Sequence, residues 1–296
     1  MKYPYVRRLP KFEYLTPKTI EEAVSLLSEH NGAARPMAGG TDLLLKMKRW
    51  EIFPPYLVGL KNISGLGYIE FDDVQGLRIG PLATLHAMET SSLVREKYPI
   101  LSNAASTIGS LQIRNLGTVV GNVCNALPSA DMLPGLIVLG AKIKVVSRKG
   151  EKKVAIEDFI TGPGQTILAN DEIATEVQVP PLLPRSGGVY IKHALREAMD
   201  LAIVSVATLM TLDGEICNEV KICLGTVGPT PIRAMKAEQI LRGKPFSDEG
   251  IRQASEMASE EAQPRSTMRG SAEYRKEMVK VLTARALNRA GTESLK

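Results

Sequence analysis

From Gly109 to Gly135 the chain reads GSLQIRNLGTVVGNVCNALPSADMLPG, a long run of glycine, asparagine, serine and proline with no clear period. Connections longer than ~12–15 residues without structure of their own are uncommon inside a compact domain, and those that occur are functional or disordered. Apolar side chains at Ile113, Leu116, Val119, Val120 and Val123 punctuate this one and argue against disorder. A functional loop is therefore expected here, followed by a strand-like apolar run, LIVLGAKIKVVS.

A second glycine-rich segment lies upstream, in RPMAGGTDLLLKMK. A bare Gly39-Gly40 pair is wanted either where the backbone turns tightly or where something comes too close for a β-carbon. Two such segments, AGGTDL and GTVVGN, could clasp one extended phosphate-containing ligand between converging N–H groups. Neither is a P-loop, which ends in Gly-Lys-Ser/Thr, and neither has the glycine spacing of the dinucleotide fingerprint. Taken alone, each is compatible with a simple tight turn.

Other patterns set the surroundings. FEYLTP reads as a short strand and turn, KTIEEAVSLLSEHNG as an amphipathic helix starting near Thr16 or Thr19, and ARPMAGG as a buried strand entering the glycine loop, giving a βαβ-like opening. PPYLVGLKNI is strand-like, GLGYIEFDD and GLRIGPLAT pair around Asp72–Gly76, and the run from Leu85 to Ile108 suggests one or two helices broken near Pro99. VPPLLPRSGG, with Pro180, Pro181 and Pro184, marks a boundary between lobes. Beyond it, Asp213-Gly214 turns a hairpin between IVSVATLMTL and EICNEVKICLG, and three helical patterns follow. The last of these places Tyr274, Met278, Val281 and Leu282 on one face, with Arg275, Lys276, Arg285 and Arg289 largely elsewhere. The fold class is α+β, with an antiparallel sheet covered by helices in the C-terminal part.

Composition narrows the function. A chain of 296 residues with 44% hydrophobic content supports two domains. No stretch approaches a membrane span, and the N-terminus MKYPYVRRLPKFEYL lacks a signal-peptide core, so a cytoplasmic protein is expected. Cys124, Cys217 and Cys223 are too dispersed for a disulfide framework or a metal site, so no metal is assigned to this chain. The net charge of +5 is scattered among acids, and no groove-reading motif accompanies it, so no nucleic-acid partner is expected. His30, His86 and His193 have no partners at triad spacing. No catalytic residue is assigned; without a nucleophile or acid–base pair, a redox cofactor that carries the reaction is the economical expectation.

Four ordered motifs then carry a resemblance over nearly the whole chain: AGGTDLLLKMK, IGSLQIRNLGTVVGNVCNALPSADMLPGLIVLGAKI, VYIKHALREAMDLAIVSVA and LGTVGPTPIRA. Together they resemble the FAD-binding medium subunit of the molybdenum hydroxylases, the family of xanthine, carbon monoxide and nicotinate dehydrogenases and 4-hydroxybenzoyl-CoA reductases. The resemblance implies a p-cresol methylhydroxylase-type FAD-binding domain over residues 1–180, in two subdomains of about 1–60 and 61–180. A smaller C-terminal α/β domain, of the carbon monoxide dehydrogenase flavoprotein type, would occupy 185–296.

By the same resemblance, Pro36, Met37, Ala38, Gly39, Gly40, Thr41, Asp42 and Leu43 would wrap the FAD pyrophosphate. Ile108, Gly109, Gly117, Thr118, Gly121 and Asn122 would form the opposite wall. Asp131 would meet a ribose or adenine-side polar group, Ile173 would pack near the adenine or the flavin, and Lys192 would lie at the isoalloxazine end, favouring the anionic reduced form. Where the family commonly reads Thr-Ile-Gly-Gly-Asn, this chain has Val120 in place of the first glycine. The inserted cysteine-rich loop of the 4-hydroxybenzoyl-CoA reductase branch has no counterpart in SADMLPGLIV.

The implied role is electron transfer. A large molybdenum-cofactor subunit and a small subunit with [2Fe–2S] clusters would accompany the chain, as a dimer of heterotrimers, and FAD would exchange electrons with an external acceptor. A stand-alone FAD-dependent reductase or oxidase is the alternative. A flavin-free scaffold or nucleic-acid-binding subunit using the basic C-terminal helix is the reading from another class.

Overall fold

The computed structural model describes residues 8–295, so the first residues of the N-terminal segment read above lie outside the described part. Three sheets follow one another along the chain, with a small two-stranded ribbon beside the second.

The first sheet is parallel. β1 (Glu13–Leu15) and β2 (Ala34–Met37) flank β3 (Tyr56–Gly59), with α1 (Ile20–Glu29) and α2 (Leu43–Lys48) in the connections. α1 starts where the Thr19 side chain accepts from the Glu22 N–H, and it buries Ala23, Val24 and Leu27. β2 differs from its sequence reading: Arg35 and Pro36 are exposed, because β2 is an edge strand.

The second sheet has the order β4-β5-β10-β6-β7, all neighbours antiparallel. β4 (Ile69–Asp72) and β5 (Gly76–Ile79) join through a turn in which Asp72 accepts from the Val74 and Gln75 N–H groups, both at 2.8 Å. Five helices and one short turn of helix then intervene: α3 (Leu85–Thr90), α4 (Ser92–Lys97), α5 (Pro99–Ser106), α6 (Leu111–Arg114), α7 (Val119–Asn125) and α8 (Met132–Val138). β6 (Lys142–Ser147), β7 (Gly150–Ala155), α9 (Ile156–Phe159), β8 (Ile160–Gly162), β9 (Gln165–Thr166) and β10 (Ile173–Val179) complete the unit.

Two sequence readings need correction here. The aperiodic Gly109–Gly135 stretch is not a loop but contains α6, α7 and the start of α8. Its helices are too short to show a period, and Ser110 and Thr118 cap α6 and α7. Likewise LIV belongs to α8, whose residues are all buried, and the strand begins only at Lys142. A short apolar run fits a buried helix as well as a buried strand. The Leu85–Ile108 region is three helices, with Pro99 in the first turn of α5.

The C-terminal sheet is an antiparallel meander of β11 (Ser186–His193), β12 (Val204–Asp213), β13 (Ile216–Gly225) and β14 (Ile232–Arg233). α10 (Met235–Leu241), α11 (Asp248–Glu261) and α12 (Ala272–Ser294) cover one face, and α5 and α8 pack on the other. β12 is therefore buried on both faces, and even its hydroxyl residues Ser205, Thr208 and Thr211 lie out of water. The face predicted for α12 is rotated in the structure. Arg275, Val279, Leu282, Ala286 and Ala290 point inward, while Tyr274 is exposed. Arg275 is tolerated there because its guanidinium donates to Ile203 O (3.0 Å), Thr226 O (3.2 Å) and Thr267 Oγ1 (2.7 Å). Arg275→Met leaves those acceptors without this donor and should lower stability by about 3 kcal/mol, read as a drop in the urea midpoint at unchanged slope.

Candidate FAD site

A cavity of about 930 Å³ opens between the first two sheets and is closed by a loop of the C-terminal unit. Its first wall is the turn from β2 into α2. Gly40 has φ +73°, a conformation that disfavours side chains, and a β-carbon on Gly39 would stand 2.0 Å from the Leu116 carbonyl oxygen. The turn and the close approach thus fall on separate residues, and what approaches Gly39 is the second glycine segment itself.

The second wall is the Gly109–Asn125 segment. Thr118 caps α7 by accepting from the Gly121 N–H at 3.0 Å, and the Val119 N–H donates to Ala83 O at 3.1 Å. Val120 is 3% exposed and packs in the main core while also lining the cavity. Side chains strap the walls together. Asn125 donates to Asp42 Oδ1 at 2.9 Å and accepts from Lys46 Nζ at 3.1 Å.

Hydrogen-bond donors decide what such a cavity can hold. Among the described residues, the N–H groups of Gly39, Gly40, Thr41 and Val120 have no protein acceptor. All four residues line the cavity. Buried backbone donors are almost always paired, so a cluster of open ones beside glycines suits an anionic ligand such as a pyrophosphate.

Every residue assigned to the cofactor from the sequence lines this cavity except Lys192. The Lys192 ammonium lies behind the wall, 2.9 Å from Asp131 Oδ2 and 2.9 Å from Thr107 O. Tyr190 donates to Asp131 Oδ1 at 2.6 Å. Burial holds the Asp131 carboxyl above its ordinary range, and Lys192 and Tyr190 offset only part of that. Asp131 is thus already held by two protein donors, and the charge expected from Lys192 is opposed within its own pair.

Sequence reasoning missed the third wall. Arg196, Met199, Asp200, Leu201 and Arg269, all from the C-terminal unit, line the cavity. The Met199 N–H donates to Gly109 O at 3.0 Å, and Asp200 organises the loop by accepting from the Leu195, Arg196 and Leu201 N–H groups. The break in strand alternation across HALREAMDLA was the available signal. Cys124 also lines the cavity, but burial pushes its thiol up to about 12, which leaves it no nucleophile near neutral pH.

The comparisons agree with this architecture. Residues 10–182 match the family described as the FAD binding domain in molybdopterin dehydrogenase, and residues 189–290 match the CO dehydrogenase flavoprotein C-terminal domain. The glyceraldehyde dehydrogenase medium chain of Sulfolobus acidocaldarius is 35% identical over 94% of this chain and 97% of its own. The carbon monoxide dehydrogenase medium chain of Afipia carboxidovorans is 33% identical over 94% and 96%. A solved carbon monoxide dehydrogenase from Hydrogenophaga pseudoflava superposes with a TM-score of 0.93 at 31% identity, covering 97% of this chain and 99% of that one. A chain with this fold and these walls is an FAD-binding flavoprotein. It belongs to the FAD-binding medium subunits of the molybdenum hydroxylases, and so to the oxidoreductases.

Gly39→Ala should force the two walls apart. We expect loss of FAD from the purified chain with far-ultraviolet circular dichroism unchanged; full flavin content in that variant would show that the contact does not shape the site.

Proposed function

We propose that the chain is the electron-transfer subunit of a multi-subunit, cytoplasmic molybdenum hydroxylase. It would pass electrons between the [2Fe–2S] clusters of a small partner and an external acceptor, beside a large molybdenum-cofactor subunit, in a dimer of heterotrimers. The observation that carries this reading is the cavity itself, with open backbone donors on two glycine walls. The names of its relatives support it, among them a carbon monoxide dehydrogenase medium chain and a nicotinate dehydrogenase FAD-subunit.

When bound, FAD supplies both one-electron and two-electron redox chemistry, which suits a junction between clusters and a two-electron acceptor. The chain's own residues bind and orient. The amides of Gly39, Gly40 and Thr41, with the remaining residues from Pro36 to Leu43, would hold the pyrophosphate from one side. Ile108, Gly109, Gly117, Thr118, Gly121 and Asn122 would face it from the other, with Ile173 packing on a ring. Asp131 would line the site in company with Lys192, so that the pair adds no net charge to that wall. Residues 1–180, divided near 60, would form the FAD unit, and 185–296 would close it.

Denaturing the purified chain should release FAD in equimolar amount, and native purification should bring down an iron–sulfur subunit and a molybdenum subunit. Flavin without partners, together with turnover of a small substrate, would favour the stand-alone reductase or oxidase. A chain that takes up no flavin would overturn both.

A further inference from the structure

Three consecutive carbonyls, those of Ile108 and Gly109 on the cavity wall and that of Thr107 just behind it, are each captured by a side-chain or distant backbone donor. Thr107 O accepts from Lys192 Nζ at 2.9 Å, Ile108 O from an Arg114 guanidinium nitrogen at 3.1 Å, and Gly109 O from the Met199 N–H at 3.0 Å. Two of these donors come from the C-terminal unit. Of the three donors, Arg114 alone comes from the turn's own unit.

Arg114 is itself held in place. Its side chain is 14% exposed, and its Nε and second terminal nitrogen donate to the two oxygens of Glu89, at 2.8 and 3.3 Å. The third arm of the guanidinium is then aimed at Ile108 O, a geometry that a planar fork provides and a lysine does not. Glu89 is anchored in turn, since its carbonyl accepts from Arg95 Nε at 2.8 Å and Ser102 Oγ at 2.9 Å. Burial works against the Glu89 charge, but Arg114 and His86 outweigh it and hold the carboxyl below its usual range. The turn so fixed contains Gly109 at φ +55°, and the Gly109 N–H has no protein acceptor among the described residues.

We infer that Arg114, oriented by Glu89, is a positioning residue for the cofactor: by taking up the Ile108 carbonyl it sets the 107–109 turn and leaves the Gly109 N–H as a donor on the FAD wall. This inference rests on the FAD reading above. Neither Arg114 nor Glu89 lines the cavity, so both act through the turn.

The test uses the full chain with the partner subunits it purifies with, loaded with FAD. Arg114→Met should speed FAD dissociation roughly tenfold or more, the scale set by losing a hydrogen bond from a charged donor. It should also change the visible circular dichroism of the bound flavin, while far-ultraviolet circular dichroism stays that of the wild type. Arg114→Lys keeps the charge without the fork and should stay close to the methionine variant. Glu89→Gln should shift both readouts in the same direction by a smaller factor, and it carries the test if Arg114→Met does not fold. Wild-type dissociation and flavin spectra in the variants that fold, or full rescue by lysine, would overturn the proposal. A wild-type chain that takes up no FAD is a separate outcome, which would overturn the flavin reading and this inference with it.

Discussion

The Gly39 Cα rests against the Leu116 carbonyl so closely that a β-carbon would lie 2.0 Å from the oxygen. This contact brings the end of the first sheet against the helical segment inserted between β5 and β6 of the second, and the cavity exists because the two meet there and diverge elsewhere. Thr41 Oγ1 sits across from Gly117 in the same contact, 3.4 Å from where a β-carbon on that glycine would be. The glycines are therefore needed first by one another and only then by a ligand. The Gly117 N–H returns to Ile113 O at 2.7 Å, so the open donors of this contact are those of the Gly39–Thr41 turn.

Much of this was legible in the sequence. Thr19 and Asp72 marked a helix start and a turn through their own hydrogen bonds, and both stand where the pattern puts them. Asp213-Gly214 turns the hairpin between β12 and β13, in a ladder with one register shift between Thr211 and Leu212. The two glycine segments were recognisable as walls of one site because their order along the chain matched a family. What was not legible has a common cause. α6, α7 and α8 are each about two turns or less, too short to display a 3.6-residue period, and α8 is apolar on every side. The inward Arg275 defeated the reading of α12, because its burial depends on carbonyls supplied by distant residues.

The third wall shows the limit more sharply. Residues 194–203 join two strands that are neighbours in an antiparallel sheet, and a hairpin connection needs only a few residues. The excess length was visible, but its destination was not. It reaches across to Gly109 because Asp200 draws three N–H groups of the loop onto its carboxylate and Met199 adopts φ +55°. A side chain that organises its own loop leaves a weak trace in sequence, since any connection rich in polar residues looks alike.

The Asp131–Lys192 pair bears on how the two units are joined. Both side chains are less than one-tenth exposed, one from the FAD unit and one from the C-terminal sheet. Removing two charges from water costs several kcal/mol per ion, and their attraction offsets this only when the remaining donors and acceptors are also satisfied. Here they are: Tyr190 takes the second carboxylate oxygen, and Thr107 O takes a further ammonium proton. Such a pair adds little net stability, because apolar side chains of similar volume would serve as well. It does define one docking geometry, since sliding the sheet past α8 would strand both charges. The apolar contacts of α5 and α8 with β11, β12 and β13 supply the adhesion between the units. The ion pair fixes their register, and with it the place where the loop from Leu195 to Leu201 meets the cavity.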